Sequence, residues 1–141
     1  MKTLVVEDDF TSRVILQKLL MPFGECHVAV SGREAVSVVQ LALDNNEPYD
    51  FICLDIMMPE MDGQDALVRI RALEQKSGIR PDGAAKIVMT TALDDARNVM
   101  DAFYSLCDGY LVKPLDGEKL MQMLDEFNLS ARHSQPAAKT R

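Results

Sequence analysis

The chain has 141 residues, of which 48% are hydrophobic and 26% charged, a composition typical of one soluble globular domain. Its formal net charge of −7 argues against a nucleic-acid-binding surface, which normally needs a basic stripe. No apolar run is long enough to span a bilayer, and the acidic start of the chain does not fit a signal peptide. We therefore expect a cytoplasmic protein that binds neither nucleic acid nor membrane.

Short apolar runs alternate along the chain with longer amphipathic segments. The runs predict five strands, over residues 3–6, 26–30, 51–54, 86–91 and 109–112. The amphipathic segments predict five helices, which begin near Phe10, Gly32, Gly63, Asp94 and Asp116. The second strand alternates apolar residues at Cys26, Val28 and Val30, which indicates a half-buried edge strand. Strict alternation of strands and helices predicts an α/β fold, a parallel sheet covered by helices on both faces.

Polar side chains are predicted to gather where the strands end, which is where open parallel sheets bind ligands. The residues at these ends are Glu7, Asp8, Asp9, Asp55, Thr90, Thr91, Lys113 and Pro114. Neighbouring carboxylates repel each other unless a cation is present, and Mg²⁺ accepts carboxylate ligands while leaving positions for phosphate. A carboxylate nucleophile, a metal ion, a hydroxyl and a lysine are together the parts that phosphoryl transfer needs.

Several of these residues also have simpler interpretations. For Asp9 we favour the interpretation that it is only a helix cap, because acidic side chains are stabilised at a helix N-terminus. The three cysteines have no metal-ligand spacing. Cys26 and Cys53 are predicted to be small core residues, whereas Cys107 is predicted to be more exposed.

Four motifs carry a resemblance to a known family. The stretches "LVVEDD", "LDIMMPEMDG", "MTTA" and "GYLVKP" resemble a response-regulator receiver domain, the phospho-accepting module of two-component signalling. The resemblance runs from residue 4 to residue 114, and the strand–helix pattern extends it to about Phe127. It implies a flavodoxin-like doubly wound sheet with strand order 2-1-3-4-5. We expect the receiver domain to span residues 1–128 and a polar C-terminal tail to span residues 129–141, with no output domain.

The resemblance also implies roles for individual residues. Asp55 would be the phosphoacceptor, assisted by Thr91 and Lys113. Mg²⁺ would be the cofactor, and its ligands would be Asp8, Asp55, the backbone carbonyl of Met57 and, through water, Glu7. Thr91 and Tyr110 would act as the switch residues. The Lys113–Pro114 peptide bond would be cis.

The resemblance implies a stand-alone response regulator rather than an enzyme. It would take its phosphoryl group from a sensor histidine kinase or a histidine phosphotransfer protein. It would then control a partner protein through the face formed by the fourth helix, the fifth strand and the fifth helix, as a monomer or a phosphorylation-dependent dimer.

Three alternatives remain open at this point. A Mg²⁺-dependent phosphatase with an aspartyl intermediate would usually need a second acid two residues after the nucleophile, where this chain has Met57. A nucleotide- or flavin-binding domain would have glycines or hydroxyls in the first loop, and this chain has acids there. A receiver-like scaffold that is never phosphorylated would not need the complete set of acids.

Overall fold

A computed structural model describes residues 1–58, 61–92 and 106–129 of the chain. Within these residues, five parallel strands form one sheet in the order β2-β1-β3-β4-β5, which confirms the predicted fold. The strands are β1 (Thr3–Val6), β2 (Cys26–Ala29), β3 (Phe51–Asp55), β4 (Lys86–Thr91) and β5 (Gly109–Val112). The second strand lies at one edge of the sheet, as predicted.

Four α-helices and two short 3-10 helices, Met21–Phe23 and Pro81–Gly83, lie within the described residues. None of the described helices has both the length and the apolar composition needed to span a bilayer. We number the α-helices in chain order. They are α1 (Phe10–Leu20), α2 (Gly32–Asp44), α3 (Gly63–Lys76) and α4 (Gly117–Glu126). The helix α4 corresponds to the fifth helix predicted from the sequence. The predicted fourth helix, the proline at position 59 and residues 130–141 of the predicted tail lie outside the described residues.

Each described α-helix begins after a polar residue whose side chain accepts a hydrogen bond from a backbone N–H two or three residues further on. These N-cap residues are Asp9, Ser31, Asp62 and Asp116. Such a bond satisfies one of the N–H groups that a helix leaves free at its start. For Asp9 the donor is Ser12 N at 2.9 Å, which confirms the interpretation of this residue as a helix cap.

The sheet separates two hydrophobic cores. On one face, which we call the α1–α4 face, strand residues pack against Leu16 and Leu20 of α1 and Leu120 and Leu124 of α4. The strand residues of this face are Val5, Phe51, Cys53, Val88 and Leu111. The residues between them in sequence, such as Leu4, Ile52, Leu54, Ile87 and Met89, pack on the opposite face against α2 and α3. This strict alternation fixes the face to which each strand residue points.

Two predictions about burial are wrong. Val30 is 44% exposed and lies beyond the end of β2, because its backbone N–H donates to Glu34 Oε1 at 2.8 Å and so belongs to the start of α2. Ala29 is the buried residue at this end of the strand. Cys107 is buried in the core against α2 and α3, because the next residue, Asp108, is held to Ile87 O by a backbone hydrogen bond of 2.8 Å. Leu129, placed in the tail by the sequence, is buried on the α1–α4 face.

Candidate functional site

Three carboxylates meet at the carboxyl ends of two neighbouring strands. Glu7 and Asp8 directly follow β1, and Asp55 is the last residue of the adjacent strand β3. Each residue offers one carboxylate oxygen, and these oxygens lie within 4.8 Å of one another. Glu7 and Asp55 are buried, whereas Asp8 is exposed. The arrangement therefore concentrates negative charge at this edge of the sheet, with Asp8 exposed to solvent.

Lys113 brings one positive charge to these acids. It directly follows β5 at the edge of the sheet, and its side chain reaches past β4 to the site. Its Nζ lies 3.1 Å from Glu7 Oε1 and 3.4 Å from Asp55 Oδ1. Partial burial disfavours the charged ammonium, but the contacts with Glu7 and Asp55 outweigh it and raise the pKa of Lys113. The Lys113–Pro114 peptide bond is cis, as the resemblance implies.

The carboxyl group of Asp55 is poised to bind a proton near neutral pH. Burial and the neighbouring Glu7 carboxylate raise the pKa of Asp55 from 3.8 to about 7. The ammonium of Lys113 and the backbone N–H of Met57, which donates to Asp55 Oδ1 at 3.2 Å, act in the opposite direction. The two favourable contacts are therefore too weak to keep this carboxylate fully ionised at neutral pH.

The donor set fits a hard divalent cation. Three carboxylates face one lysine, so the site carries excess negative charge, and all of its ligand atoms are oxygens of the kind that Mg²⁺ prefers. Glu7 Oε1 is buried and accepts no hydrogen bond from the described residues, although it lies in ion-pair contact with Lys113. The residues present thus have both the charge and the free oxygens that a magnesium ion would use.

Thr91 is the last residue of β4, and its buried hydroxyl donates to the carbonyl of Ala92 at 3.2 Å. Tyr110 lies in β5, next to Met89 in the register, and is 38% exposed. Met57 lies two residues after the end of β3 and is 67% exposed. The switch roles of Thr91 and Tyr110 and the ligand role of the Met57 carbonyl remain predictions.

Two further residues shape the acidic site. A Cβ atom on Gly63 would lie 2.2 Å from the carbonyl oxygen of Asp55, so the first turn of α3 packs directly on the backbone of Asp55. The sequence indicated a role for Gly63 in starting α3 but not this close approach. Arg13 was not predicted to be part of the site. Its Nη1 donates to Glu7 O at 3.2 Å, which links α1 to the acidic residues that precede it. The one feature of the sequence that could have indicated this contact is the position of a cationic residue one turn into the helix that follows the acidic residues.

Comparison with known proteins places these observations in a family. The family model for the response regulator receiver domain matches residues 3–125. Two-component response regulator ORR41 from Oryza sativa subsp. japonica is 31% identical over 130 residues, which cover 92% of this chain and 95% of that protein. Osmosensing histidine protein kinase SLN1 from Saccharomyces cerevisiae is 30% identical over 128 residues, 89% of this chain, but the match spans just 10% of the kinase.

A solved structure agrees with this assignment. The receiver domain of the histidine kinase CKI1 from Arabidopsis thaliana, complexed with Mg²⁺ and BeF₃⁻, superimposes with a TM-score of 0.73 at 30% identity. The superposition covers 90% of this chain and 89% of that domain. The chain belongs to the response regulator receiver family and is a receiver domain of two-component signalling.

Proposed function

We propose that this receiver domain accepts a phosphoryl group from a phosphohistidine onto Asp55 and then controls a partner protein through a change in its surface. The observation that carries the proposal is the meeting of three carboxylates and Lys113 at neighbouring strand ends. Two of these carboxylates, Glu7 and Asp55, are buried, and buried acids so close together destabilise a fold unless a cation offsets their charge. In a receiver domain, this loss of stability is explained if the carboxylates take part in phosphoryl transfer.

The chemistry assigned to Asp55 is nucleophilic. One carboxylate oxygen forms a bond to phosphorus, the bond from phosphorus to the histidine nitrogen of the donor breaks, and its electron pair stays on that nitrogen, which takes a proton from solvent. The rigid strand β3 holds the carboxylate, and the Met57 N–H orients one of its oxygens. Lys113, already in contact with Asp55, neutralises negative charge on the phosphoryl group.

Mg²⁺ is the cofactor that the donor set supports. When bound, it would offset the negative charge of the acids and of the incoming phosphoryl oxygens. We assign its ligands as Asp8, Asp55 and the Met57 carbonyl, with Glu7 acting through a water molecule. The receiver domain of CKI1, solved in complex with Mg²⁺ and BeF₃⁻, supports this choice of metal.

The proposed signal is a shift between two states. Phosphorylation places additional negative charge at Asp55, and the Thr91 hydroxyl and Lys113 turn towards it. Tyr110, exposed at 38%, then changes its packing and alters the surface around β5 and α4. A downstream protein, or a second copy of the chain, would recognise the altered face, which also includes the predicted fourth helix.

The proposed donors are a sensor histidine kinase or a histidine phosphotransfer protein. Histidine kinases are among the relatives, but this chain spans a tenth or less of the length of those kinases. Their kinase activity is therefore not transferred to this chain. We propose that residues 1–128 are the receiver domain, and the burial of Leu129 extends its packed part by one residue.

The proposal is tested by incubating the protein with a small-molecule phosphodonor and Mg²⁺ and measuring the intact mass. We expect one added phosphoryl group on the wild type and none on Asp55→Asn. An exposed acid away from the site gives a matched control, because Asp82→Asn removes the same charge and should be labelled like the wild type. Equal labelling of Asp55→Asn, or undiminished labelling with a metal chelator, would contradict the proposal.

A further inference from the structure

One buried hydroxyl beside the acidic site has no partner. Among the described residues, three buried side-chain oxygens make no hydrogen bond: Thr3 Oγ1, Glu7 Oε1 and Thr90 Oγ1. Glu7 Oε1 has its ion-pair contact with Lys113, which leaves the two threonine hydroxyls without a polar contact. Thr90 is 1% exposed, so solvent does not satisfy its hydroxyl either.

The sheet register places Thr90 next to Asp55. The two residues are paired in the β3–β4 ladder, and the backbone N–H of Ile56 donates to Thr90 O at 3.1 Å, which fixes the register at this point. Two residues earlier, Cys53 and Val88 are also paired, and both point to the α1–α4 face. Because strand side chains alternate with a period of two, Asp55 and Thr90 point to that same face.

Asp55 therefore has a different neighbour on each side. The adjacent strand β1 leads into Glu7, which follows Val5 on the α1–α4 face, and the adjacent strand β4 carries Thr90. Neighbouring parallel strands lie roughly 4.8 Å apart, so a rotation of either side chain brings the hydroxyl within reach of the carboxylate. Of these two neighbours, Thr90 can donate a hydrogen bond to Asp55, whereas the carboxylate of Glu7 can only accept one.

A hydroxyl without a partner at this position destabilises the fold. Burying it costs free energy that a valine of similar shape would not incur, because the position faces an apolar core otherwise built from residues such as Val88 and Leu111. Buried polar groups without a partner are rare in native proteins, and a role in catalysis is one of the explanations for them. The Asp55 carboxylate is the nearest group on the ladder that could be this partner.

We propose that Thr90 is a positioning residue for phosphoryl transfer, because its hydroxyl donates a hydrogen bond to the Asp55 oxygen that does not attack phosphorus. This inference rests on the proposed function of Asp55. The bond forms when the Asp55 side chain turns from Glu7 towards its cross-strand neighbour on β4. It holds the second oxygen outward, towards the donor. Thr90 thus differs from Thr91, whose hydroxyl is already bonded to the Ala92 carbonyl.

The test compares Thr90→Val, which removes the hydroxyl, with Thr90→Ser, which keeps it. The initial rate of phosphorylation by a small-molecule phosphodonor is measured over a range of Mg²⁺ concentrations, together with the melting temperature. For Thr90→Val we expect a maximal rate lower by about tenfold, the effect of one hydrogen bond to a charged group. The melting temperature should be equal to or higher than that of the wild type, because no buried hydroxyl is left without a partner. Thr90→Ser should restore most of the rate.

A second measurement does not depend on activity. With Asp carboxyl carbons labelled with ¹³C and Mg²⁺ present, the Asp55 resonance should shift in Thr90→Val and return towards the wild-type position in Thr90→Ser. A wild-type rate in Thr90→Val, or equally slow valine and serine variants with lowered melting temperatures, would overturn the inference. Failure of the wild type itself to become phosphorylated would instead overturn the proposed function, so the two failures are distinguishable.

Discussion

Without a divalent metal, the buried carboxyl of Asp55 should destabilise the fold at alkaline pH, and Asp55→Asn should remove this effect. The variant keeps the shape of the side chain but cannot ionise next to Glu7. We expect Asp55→Asn to be more stable than the wild type at pH 8 in the presence of a chelator. The same comparison at pH 4 should show little difference, because the wild-type carboxyl is then protonated in the folded state.

The size of the effect follows from the pKa of Asp55. The folded protein holds this proton up to a pKa of about 7, whereas the unfolded chain releases it near 3.8. The folded state thus binds more protons between these values, so the free energy of unfolding falls as the pH rises through this window. Above about pH 7 the whole destabilising contribution of Asp55 is present. About three pKa units correspond to an upper limit of roughly 4 kcal/mol, and structural relaxation would reduce this to about 2 kcal/mol.

The assay is urea or thermal unfolding of both proteins between pH 4 and 8 with a chelator present. At about 2–4 °C per kcal/mol, an effect of about 2 kcal/mol means that the melting temperature of Asp55→Asn should exceed that of the wild type by roughly 4–8 °C at pH 8. Asp9→Asn is the matched control, because it removes the same charge from an exposed N-cap whose function Asn preserves. Its pH dependence should stay close to that of the wild type. A variant at Asp55 that gains no stability at pH 8, or gains as much at pH 4, would refute this reasoning.

Three further predictions follow from the site. Lys113→Ala should accept phosphate less efficiently and lose the phosphorylation-dependent NMR shifts around β5, because the substitution leaves the charge at Asp55 uncompensated. Normal shifts in this variant would exclude a role for Lys113 in coupling Asp55 to β5. Gly63→Ala should reduce the free energy of unfolding in urea by about 3 kcal/mol, because its Cβ would meet the backbone of Asp55. Gly83→Ala is the control and should be nearly neutral, because open space surrounds that position. Equal effects of the two substitutions would contradict this packing argument. Met57→Asn should shorten the lifetime of the phosphorylated protein in Mg²⁺ buffer, because a polar side chain can orient the attacking water; an unchanged decay rate would rule this out.

Much of the fold could be predicted from the sequence because each strand is a short apolar run. Buried strands such as β3 and β4 are recognised by continuous apolar residues, and the polar residues that follow them mark the edge where a ligand binds. The prediction for Val30 failed because alternation alone does not show where a strand ends. Its N–H joins the cap of the next helix instead of the sheet, and that competition depends on Glu34 four residues later.

The parts of the site that could not be predicted depend on distances in space. The sequence shows that Lys113 follows a strand, but its contact with Glu7 depends on the reach of a long side chain past β4. The contact of Arg13 with the Glu7 carbonyl and the missing partner of Thr90 likewise depend on how side chains pack. No periodicity in the sequence reports such contacts.

The decisive measurement for the role of Asp55 is to locate the phosphoryl group within the chain. The wild type, incubated with a small-molecule phosphodonor and Mg²⁺, is treated with borohydride to convert any aspartyl phosphate into a stable product, digested and analysed by tandem mass spectrometry. The account predicts modification at Asp55 alone, abolished when a chelator replaces Mg²⁺. Modification at Asp8, Asp9 or another acid instead of Asp55, or none under any condition, would contradict it.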